Sequence, residues 1–378
     1  MAWKEMDTMS LRLEFVRLAL HEDANMSQLC RRFSISRKTG YKWLKRYKQN
    51  GKEALMDQSR RPHTIPKGTP AEIEELVLQV RDKHPAWGGR KINHLLLRSG
   101  HADIPHPSTI TDILHRHGRM DADESVKHRA FQRFERERPN ELWQMDFKGH
   151  FPLTGGGRCH PLTALDDCSR FLLCLRACPN ETRATVVEQL TSIFRLYGMP
   201  DRMLMDNGSP WGTDADNPYT RLTVWLIRLG IDISHGRPYH PQTQGKDERL
   251  HRTLNAELIS RRCFAGLPDC QVAFDDWRDT YNQVRPHQAL DMCVPGERYQ
   301  PSSRCFPEVL PPVLYDASDI VRKVDVCGRI SFRSRKFRVG KAFHNQTVAL
   351  KPTDTDGVFH VFFCHNPIAQ ISFHDCDD

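Results

Sequence analysis

The sequence lacks a long hydrophobic run. No stretch of about 18 consecutive apolar residues, the length that a membrane-spanning helix needs, occurs in its 378 residues. The first residues, MAWKEMDTMSLRLEF, also lack the apolar core of a signal peptide. We therefore expect a cytoplasmic protein with no membrane partner.

Paired cysteines are lacking as well. The 12 cysteines are scattered along the chain without a CxxC pair. Cys174 and Cys178 fall in or beside an apolar segment that is typical of a strand. For a protein expected inside the cell, this pattern favours reduced thiols over a disulfide framework or a zinc site.

Basic residues are present in excess, and they are unevenly distributed. The formal net charge is +8, but residues 1–120 carry 22 Lys and Arg against 13 Asp and Glu, which is +9. Residues 121–309 carry 24 against 26, or −2, and residues 310–378 carry 9 against 8, or +1. A polyanion bound mainly by the N-terminal part is the simplest explanation, although a solvated basic surface has the same composition.

The N-terminal residues predict three short helices, at about Ser10–His21, Met26–Phe33 and Arg37–Lys48. Asn25 and the segment 34–36 offer N-caps and a tight turn between them. The third helix has an apolar side for packing and a cationic side for a DNA groove. We therefore predict a helix-turn-helix DNA-binding domain over residues 1–60. Its candidate DNA-binding residues are Arg37, Lys38, Lys42, Lys45 and Arg46.

A second helical unit is predicted for residues 65–120. The sequence TPAE at 69–72 is typical of a capping box with proline at the first helical position, and this helix extends to about Lys83. Further helices are expected at Arg90–Arg98 and, with Ser108 as the cap, at Thr109–His117. The unit is either a second helix-turn-helix-like domain or a plain three-helix spacer.

A charged segment at 121–138 has almost no core residues, which indicates an interdomain linker. After it the pattern changes to apolar segments separated by turns. Three successive strands are predicted first, and helices and strands then alternate, which predicts an α/β catalytic core of ribonuclease-H-like order over residues 139–300. The predicted elements are strands Leu142–Phe151, Leu162–Asp166 and Phe171–Ala177, helix Thr182–Tyr197, strand Arg202–Asp206, helix Arg221–Leu229, strand Ile231–Ser234, and helices Gln242–Ser260 and Leu267–Gln283.

Residues 311–378 alternate as in strands and predict a small all-β barrel. Between Arg329 and Lys341 this region has six basic residues and no acidic one. Such a stretch suits contacts with DNA phosphates, and a solvated barrel face explains it equally well.

Three acidic residues in the core stand out because two-metal phosphodiester chemistry needs about three converging carboxylates. Asp146 lies within the first strand, Asp206 ends the fourth, and Glu248 lies in a helix and projects away from Leu250. Each acid alone has an ordinary explanation, as a strand-edge, turn or surface residue. Asp166 and Asp167 are alternatives to Asp146, and Asp247 is an alternative to Glu248.

The segments around these acids, WQMDF, LMDNGSP and RPYHPQTQGKDERLHRTL, resemble the three acidic motifs of integrase-type insertion-sequence transposases, the bacterial relatives of retroviral integrases. The acids are separated by 60 and 42 positions, and the loop at 211–218 accommodates a spacing slightly wider than the retroviral one. The segment YNQVRPHQAL at Tyr281–Leu290 also resembles a motif that follows the glutamate in these proteins. No zinc module of the retroviral type is present in the sequence.

The resemblance implies a DNA transposase in which Asp146, Asp206 and Glu248 are the catalytic residues and hold two Mg²⁺ ions, or Mn²⁺ in their place. It implies cleavage at transposon ends and joining of the 3′-hydroxyl to target DNA, with terminal inverted repeats as partners. At least a dimer on DNA, in the bacterial nucleoid, is expected. Arg252 and Asn255 are further candidates for DNA contacts, and residues 207–208 and 244–245 for shaping the site. A catalytically silent DNA-binding regulator and a hydrolytic nuclease are the alternative functions.

Overall fold

The computed structural model describes residues 8–57, 68–120, 136–212, 219–235 and 245–374. The chain divides into two compact units between Gly68 and Thr69. Residues 58–67, most of the predicted charged linker at 121–138, and residues 213–218 of the predicted loop lie outside the described residues. In the described part of the chain, none of the helices has the length and apolar character required to cross a bilayer.

The first unit contains three helices, α1 (Thr8–Ala19), α2 (Met26–Arg32) and α3 (Arg37–Asn50), followed by a 3₁₀ turn at Lys52–Leu55. As predicted, Asn25 caps α2 by accepting from the backbone amides of residues 27 and 28, and Ser36 caps α3. The helices enclose a small core in which Trp43 is buried. Gly40 permits the close approach of α3, because a Cβ there would lie 2.7 Å from Cys30 Sγ and 2.8 Å from Phe15 Cζ.

The second unit begins with three more helices, α4 (Ala71–Lys83), α5 (Gly89–Arg98) and α6 (Pro107–Arg116), around a core containing Trp87 and Ile110. Two local predictions are wrong here. Pro70 is the N-cap of α4 rather than its first helical residue, and no side chain caps this helix. The ring of His106, not Ser108, caps α6, and Pro107 takes the first helical position, where its lack of an N–H costs nothing.

A mixed sheet with helices on both faces follows, which confirms the predicted α/β core. Its strands pair in the order β2-β3-β1-β5-β6. The remaining strand, β4, pairs with residues 160–165 of β3. The strands β1, β5 and β6 are parallel, whereas β3 is antiparallel to β1 and β4. The bounds are β1 (Trp143–Phe147), β2 (Phe151–Pro152), β3 (Arg158–Asp166), β4 (Leu172–Cys178), β5 (Arg202–Met205) and β6 (Asp232–His235).

The helices of this domain are α7 (Arg183–Tyr197), α8 (Arg221–Arg228), α9 (Gly245–Glu257), α10 (Leu267–Gln283) and the short α11 (Pro295–Arg298). α7 and α8 pack on one face of the sheet, and α9 and α10 pack on the other. The single strand predicted at 142–151 is two strands, because the pairing with β3 shifts by one residue between β1 and β2, where Gly149 has φ +82°. The predicted start of α9 at Gln242 lies outside the described residues.

The C-terminal region is all-β, as predicted, but its described residues do not show a closed barrel. Four strands form an open antiparallel sheet in the order β12-β11-β10-β7, and β8 and β9 form a separate hairpin. These strands are β7 (Ile320–Lys323), β8 (Arg329–Phe332), β9 (Arg335–Arg338), β10 (Thr347–Pro352), β11 (Val358–Phe363) and β12 (Asn366–Ser372). Their core includes Val224 and Ile227 of α8, so this region is packed against the α/β domain.

Candidate active site

Asp146 and Asp206 lie on neighbouring parallel strands at the same level of the sheet. β1 pairs with β5 in a register that sets Trp143 opposite Met203 and Gln144 opposite Leu204, an offset of 60 positions. The two aspartates differ by the same 60 positions, so continuing this register places Asp146 beside Asp206, which directly follows β5. Neighbouring strands are about 4.8 Å apart, and the two carboxylates therefore emerge at one edge of the sheet.

The face of β1 that carries Asp146 is the face covered by α9. Trp143 and Met145 point into the core beneath α7 and α8, and alternation along a strand sends Gln144 and Asp146 to the opposite face. Glu248 lies in the first turn of α9, exposed, between the buried residues Asp247 and Leu250. The strand and the helix thus bring the third acid to the same region.

Electrostatics connects Asp146 with the other two acids. Burial, together with the charges of Asp206, Glu181 and Glu248, raises the pKa of Asp146 to about 7, against a partly opposing backbone hydrogen bond. Desolvation and like charges both disfavour an ionised carboxylate, and a divalent cation removes both penalties. Asp206 and Glu248 therefore lie near enough to Asp146 for their charges to raise its pKa.

Their fit to a divalent metal rests on the donor set and on this mutual charge. Carboxylate oxygens are the hard ligands that Mg²⁺ prefers. Among the described residues, no group of three or more His, Cys, Asp or Glu side chains is already gathered at metal-binding distance. The side chains of Asp206 and Glu248 are exposed, and one Asp206 oxygen accepts from the Asn207 amide at 2.7 Å.

The alternatives to Asp146 are engaged in structural contacts. Asp166 accepts hydrogen bonds from Ser169 Oγ at 2.6 Å and from the Asn140 amide at 2.7 Å. Asp167 accepts one from Gln144 Nε2 at 2.6 Å and pairs with Lys246 Nζ at 2.5 Å. Both carboxylates are almost completely buried. Their oxygens bind protein groups rather than facing the site.

Asp247, the alternative to Glu248, is buried beneath the start of α9. It is 1% exposed, and neither carboxylate oxygen has a hydrogen-bond partner among the described residues. Burial raises its pKa well above the ordinary value, and the charges of Asp146 and Asp167 raise it further. A buried carboxyl without a partner is costly as an anion. Asp247 therefore lies buried behind the site with a raised pKa, whereas Glu248 faces solvent.

Several groups around Asp146 were not found from the sequence. Thr163 Oγ1 donates to the Asp146 carbonyl oxygen at 3.0 Å, and His251 Nε2 lies 2.9 Å from the same hydroxyl. Glu181, whose charge reaches Asp146, contacts His160 Nδ1 at 2.8 Å. His251 is part of the quoted segment RPYHPQTQGKDERLHRTL, three positions after Glu248, and that position was the available signal.

The predicted DNA-binding residues lie at two separate places. On α3 of the first unit, Arg37, Lys38, Lys42 and Lys45 are exposed, and the Arg46 guanidinium lies 5.1 Å from the centre of the Trp43 ring. On α9, Arg252 and Asn255 are exposed and follow Glu248 by four and seven positions, which places all three on one helix face. The two sets belong to different compact units.

Comparison with known protein families assigns the domains. Residues 136–241 and 229–295 match integrase core domains. Residues 319–375 match the C-terminal domain of IS481 family transposases. Residues 11–63 match a helix-turn-helix domain, and residues 39–114 match a homeodomain-like domain. The prediction of helix-turn-helix structure at the N-terminus is confirmed.

Individual relatives agree with these assignments. Over 159 residues, 42% of the chain, it is 26% identical to an uncharacterized protein of insertion element IS476 from Xanthomonas euvesicatoria and 25% identical to one of insertion element IS407 from Burkholderia multivorans. These matches cover 44% and 55% of the two relatives, so the chain spans about half of their length. It is also 31% identical over 127 residues to the Gag-Pro-Pol polyprotein of sheep pulmonary adenomatosis virus. This match covers 33% of the chain and 7% of the polyprotein.

Solved structures with a similar chain include the simian T-cell lymphotropic virus intasome, at 16% identity and a TM-score of 0.38, covering 79% of this chain and 96% of that one. The integrase catalytic core of HTLV-2 in complex with magnesium has 17% identity and a TM-score of 0.32, covering 43% of this chain and 97% of that one.

The mixed sheet and the matches over residues 136–295 define an integrase-type core domain. The chain is similar to insertion-element proteins, and its residues 319–375 match the C-terminal domain of IS481 family transposases.

Proposed function

We propose that the protein is an active DNA transposase that cuts DNA at the ends of its element and joins the freed 3′-hydroxyl to target DNA. The observation that carries this proposal is the shared 60-position offset of the β1–β5 register and of Asp146 and Asp206. It supports convergence of two acids at one sheet edge, where the charge of Glu248 also reaches Asp146.

In this proposal Asp146, Asp206 and Glu248 are the catalytic residues and hold two Mg²⁺ ions, with Mn²⁺ as a substitute. When bound, the ions supply activation of the attacking oxygen and stabilisation of the leaving oxygen. Asp146 is fixed by its strand, whereas Asp206 and Glu248 approach from a strand end and a helix start. Both reaction steps attack a phosphodiester, so one acidic site serves water in cleavage and the 3′-hydroxyl in joining.

The chain's other groups bind and orient DNA. Arg252 and Asn255, on the face of α9 that carries Glu248, contact phosphates of the reacting strand and hold it in register. In the C-terminal domain all six basic residues between 329 and 341 are exposed, which suits them to phosphate contacts. They are Arg329, Arg333, Arg335, Lys336, Arg338 and Lys341.

We assign the terminal inverted repeats to the two helical regions and divide the chain as the sequence indicates. Residues 1–60 are a helix-turn-helix domain and 65–120 a second helix-turn-helix-like domain, with 121–138 as linker. Residues 139–300 are the catalytic core, and 311–378 are a small β domain that contacts DNA. Two ends are processed together, so the protein acts as at least a dimer on the DNA of the bacterial nucleoid.

A second function, a catalytically silent DNA-binding regulator, is favoured by one observation. The described acids are not gathered at metal-binding distance. Such a protein would retain recognition of the DNA ends and would make no cut.

The test uses labelled DNA that carries the repeats flanking the gene, with Mg²⁺ or with EDTA. We expect the wild type to give metal-dependent cleaved and joined products, and Asp206→Asn to give neither while binding the DNA as before. Asp279→Asn removes an exposed carboxylate of α10 and is the matched control, which should retain activity. Equal binding by wild type and Asp206→Asn without any cut would establish the regulator instead.

Asp247→Asn separates the two neighbouring acids of α9. Because Asp247 is buried and Glu248 faces solvent, the amide variant of Asp247 should retain cleavage, whereas Glu248→Gln should lose it. Loss of cleavage in a folded Asp247→Asn protein with activity in Glu248→Gln would exchange their roles.

A further inference from the structure

Thr163 and His251 form a hydrogen-bonded connection between the two elements that carry catalytic acids. Thr163 is completely buried in β3 and lies opposite Asp146 in the β1–β3 register. Its hydroxyl donates to the Asp146 carbonyl oxygen at 3.0 Å, and His251 Nε2 of α9 lies 2.9 Å from that hydroxyl. The chain of contacts therefore extends from the Asp146 backbone to a residue one turn after Glu248.

The direction of these bonds fixes the form of the imidazole. A threonine hydroxyl has a single proton, and a carbonyl oxygen only accepts. Since the Thr163 proton goes to Asp146, the hydroxyl must accept from His251, which therefore carries a proton on Nε2. Burial and, to a smaller extent, the Lys148 charge lower the pKa of His251 to about 4. His251 is thus neutral at ordinary pH, with its proton on Nε2.

The position of α9 on the sheet sets where Glu248 lies, and two kinds of contact hold this helix: apolar packing and a hydrogen bond. Leu250 and Leu254 pack into the core, and they set the depth of the helix on the sheet. Apolar packing is non-directional, so it sets the rotation and axial position of a helix less sharply than a hydrogen bond with fixed geometry. Because side chains project outward from the helix axis, a small rotation of α9 about that axis moves Glu248 relative to Asp146.

We propose that His251 is a positioning residue, which through Thr163 ties α9 to the backbone of Asp146 and so sets the distance between Asp146 and Glu248. The inference rests on the proposed metal-dependent function. It predicts that removing the Thr163 hydroxyl weakens metal binding without removing any metal ligand. Loss of groups that orient metal ligands typically lowers metal affinity about 10–100-fold.

The test pairs Thr163→Val, which has the same shape without a hydroxyl, with Thr163→Ser, which retains it. Mn²⁺ binding to the full chain is measured by calorimetry, with Asp206→Asn as the reference that lacks a ligand. We expect Mn²⁺ affinity and the single-turnover cleavage rate to fall at least about tenfold in Thr163→Val, with unchanged DNA affinity. Thr163→Ser should remain near the wild type.

His251 supplies the second pair of variants, which covers the case in which Thr163→Val fails to fold. His251→Phe removes the donor, whereas His251→Gln retains an N–H and should recover part of the Mn²⁺ affinity. The double variant Thr163→Val with His251→Phe should lose little more than either single one, because both break the same connection. Nitrogen NMR of ¹⁵N-histidine protein should show Nε2 protonated in the wild type and in Thr163→Ser.

The possible failures are distinguishable. Wild-type Mn²⁺ affinity equal to that of Asp206→Asn, with no cleavage, overturns the proposed function and this inference with it. Normal wild-type Mn²⁺ binding, matched by folded Thr163→Val and His251→Phe proteins with wild-type cleavage rates, overturns the positioning role alone. A His251 ring protonated on Nδ1 instead of Nε2 would also overturn it.

Discussion

The Lys246 ammonium lies 2.5 Å from a carboxylate oxygen of Asp167, whose side chain is only 2% exposed. Lys246 itself lies two positions before Glu248 in α9. This pair secures the first turn of α9 to the end of β3. Removing one partner of a buried pair leaves an uncompensated charge and costs about 3–5 kcal/mol.

We therefore predict that Lys246→Met lowers the thermal unfolding midpoint by roughly 5–10 °C, as measured by calorimetry. The control is Glu308→Gln, which breaks an exposed pair with Arg195, whose side chains are 55% and 64% exposed. Such a pair contributes at most about 1 kcal/mol. Equal midpoints for the two variants would contradict a structural role of the Lys246–Asp167 pair.

Asn282, within the segment YNQVRPHQAL, joins α10 to β4. Its side-chain oxygen accepts from the Leu172 amide at 2.8 Å, and its nitrogen donates to the Leu172 carbonyl at 3.0 Å. Asn282→Leu leaves both buried backbone groups without partners, at a cost of about 1–3 kcal/mol each. Chemical denaturation should show this loss, whereas Asn255→Leu, at an exposed position of α9, should change stability little. An Asn282→Leu protein as stable as the wild type would show that the two hydrogen bonds to Leu172 do not stabilise the fold.

Lys91 of α5 gives the protein a dependence of stability on pH. Burial and, to a smaller extent, the Arg285 charge lower its pKa to about 7. The unfolded chain has the ordinary value of about 10.4, so between these values the unfolded state binds more protons and stability from this residue rises with pH. Below pH 7 the lysine is charged in both states, and its full penalty is present.

Lys91→Met should therefore raise the unfolding midpoint most near pH 6, and the gain should shrink as pH rises from 7 towards 10. The midpoints of wild type and variant are compared across this range, with exposed Lys83→Met of the same helical region as control. A gain that grows with pH would have the wrong sign for a lysine with a lowered pKa.

The exposed cations of α3 should contribute to DNA affinity through phosphates. Each phosphate contact that is lost lowers the slope of log affinity against log salt concentration by about one. Lys38→Ala and Lys45→Ala should each show this change in titrations of repeat DNA at several salt concentrations. Lys351→Ala, which removes a cation near Asp316 and Asp319, should leave the slope unchanged. Unaltered slopes in all three variants would show that Lys38 and Lys45 of α3 do not contact DNA phosphates.

Local sequence signals predicted the elements whose ends are defined by nearby residues. The N-caps Asn25 and Ser36 are set by side chains that reach amides two or three positions away, and α10 begins and ends at the predicted residues, Leu267 and Gln283. Where several residues competed for one local role, the prediction failed. At the start of α6 the prediction named Ser108 as the cap, whereas the ring of His106 accepts from the Ser108 amide.

The three acids and their spacings were readable in the sequence, because their motifs are continuous segments. The sequence could not show that the 60-position spacing equals the register of β1 and β5, since register depends on which strands pair. It also could not separate Asp247 from Glu248 by exposure, because burial depends on what α9 packs against.

By itself the sequence determined the order of most helices and strands and the acids to test, since these follow from short-range patterns and from continuous motifs that resemble those of integrase-type transposases. The tertiary structure decided which acids are engaged elsewhere, as Asp166 and Asp167 are, and which distant residues meet, as Thr163 and His251 do. Thr163 and His251 are 88 positions apart. They meet only when α9 packs on the sheet, because no isolated segment contains both partners of this hydrogen bond.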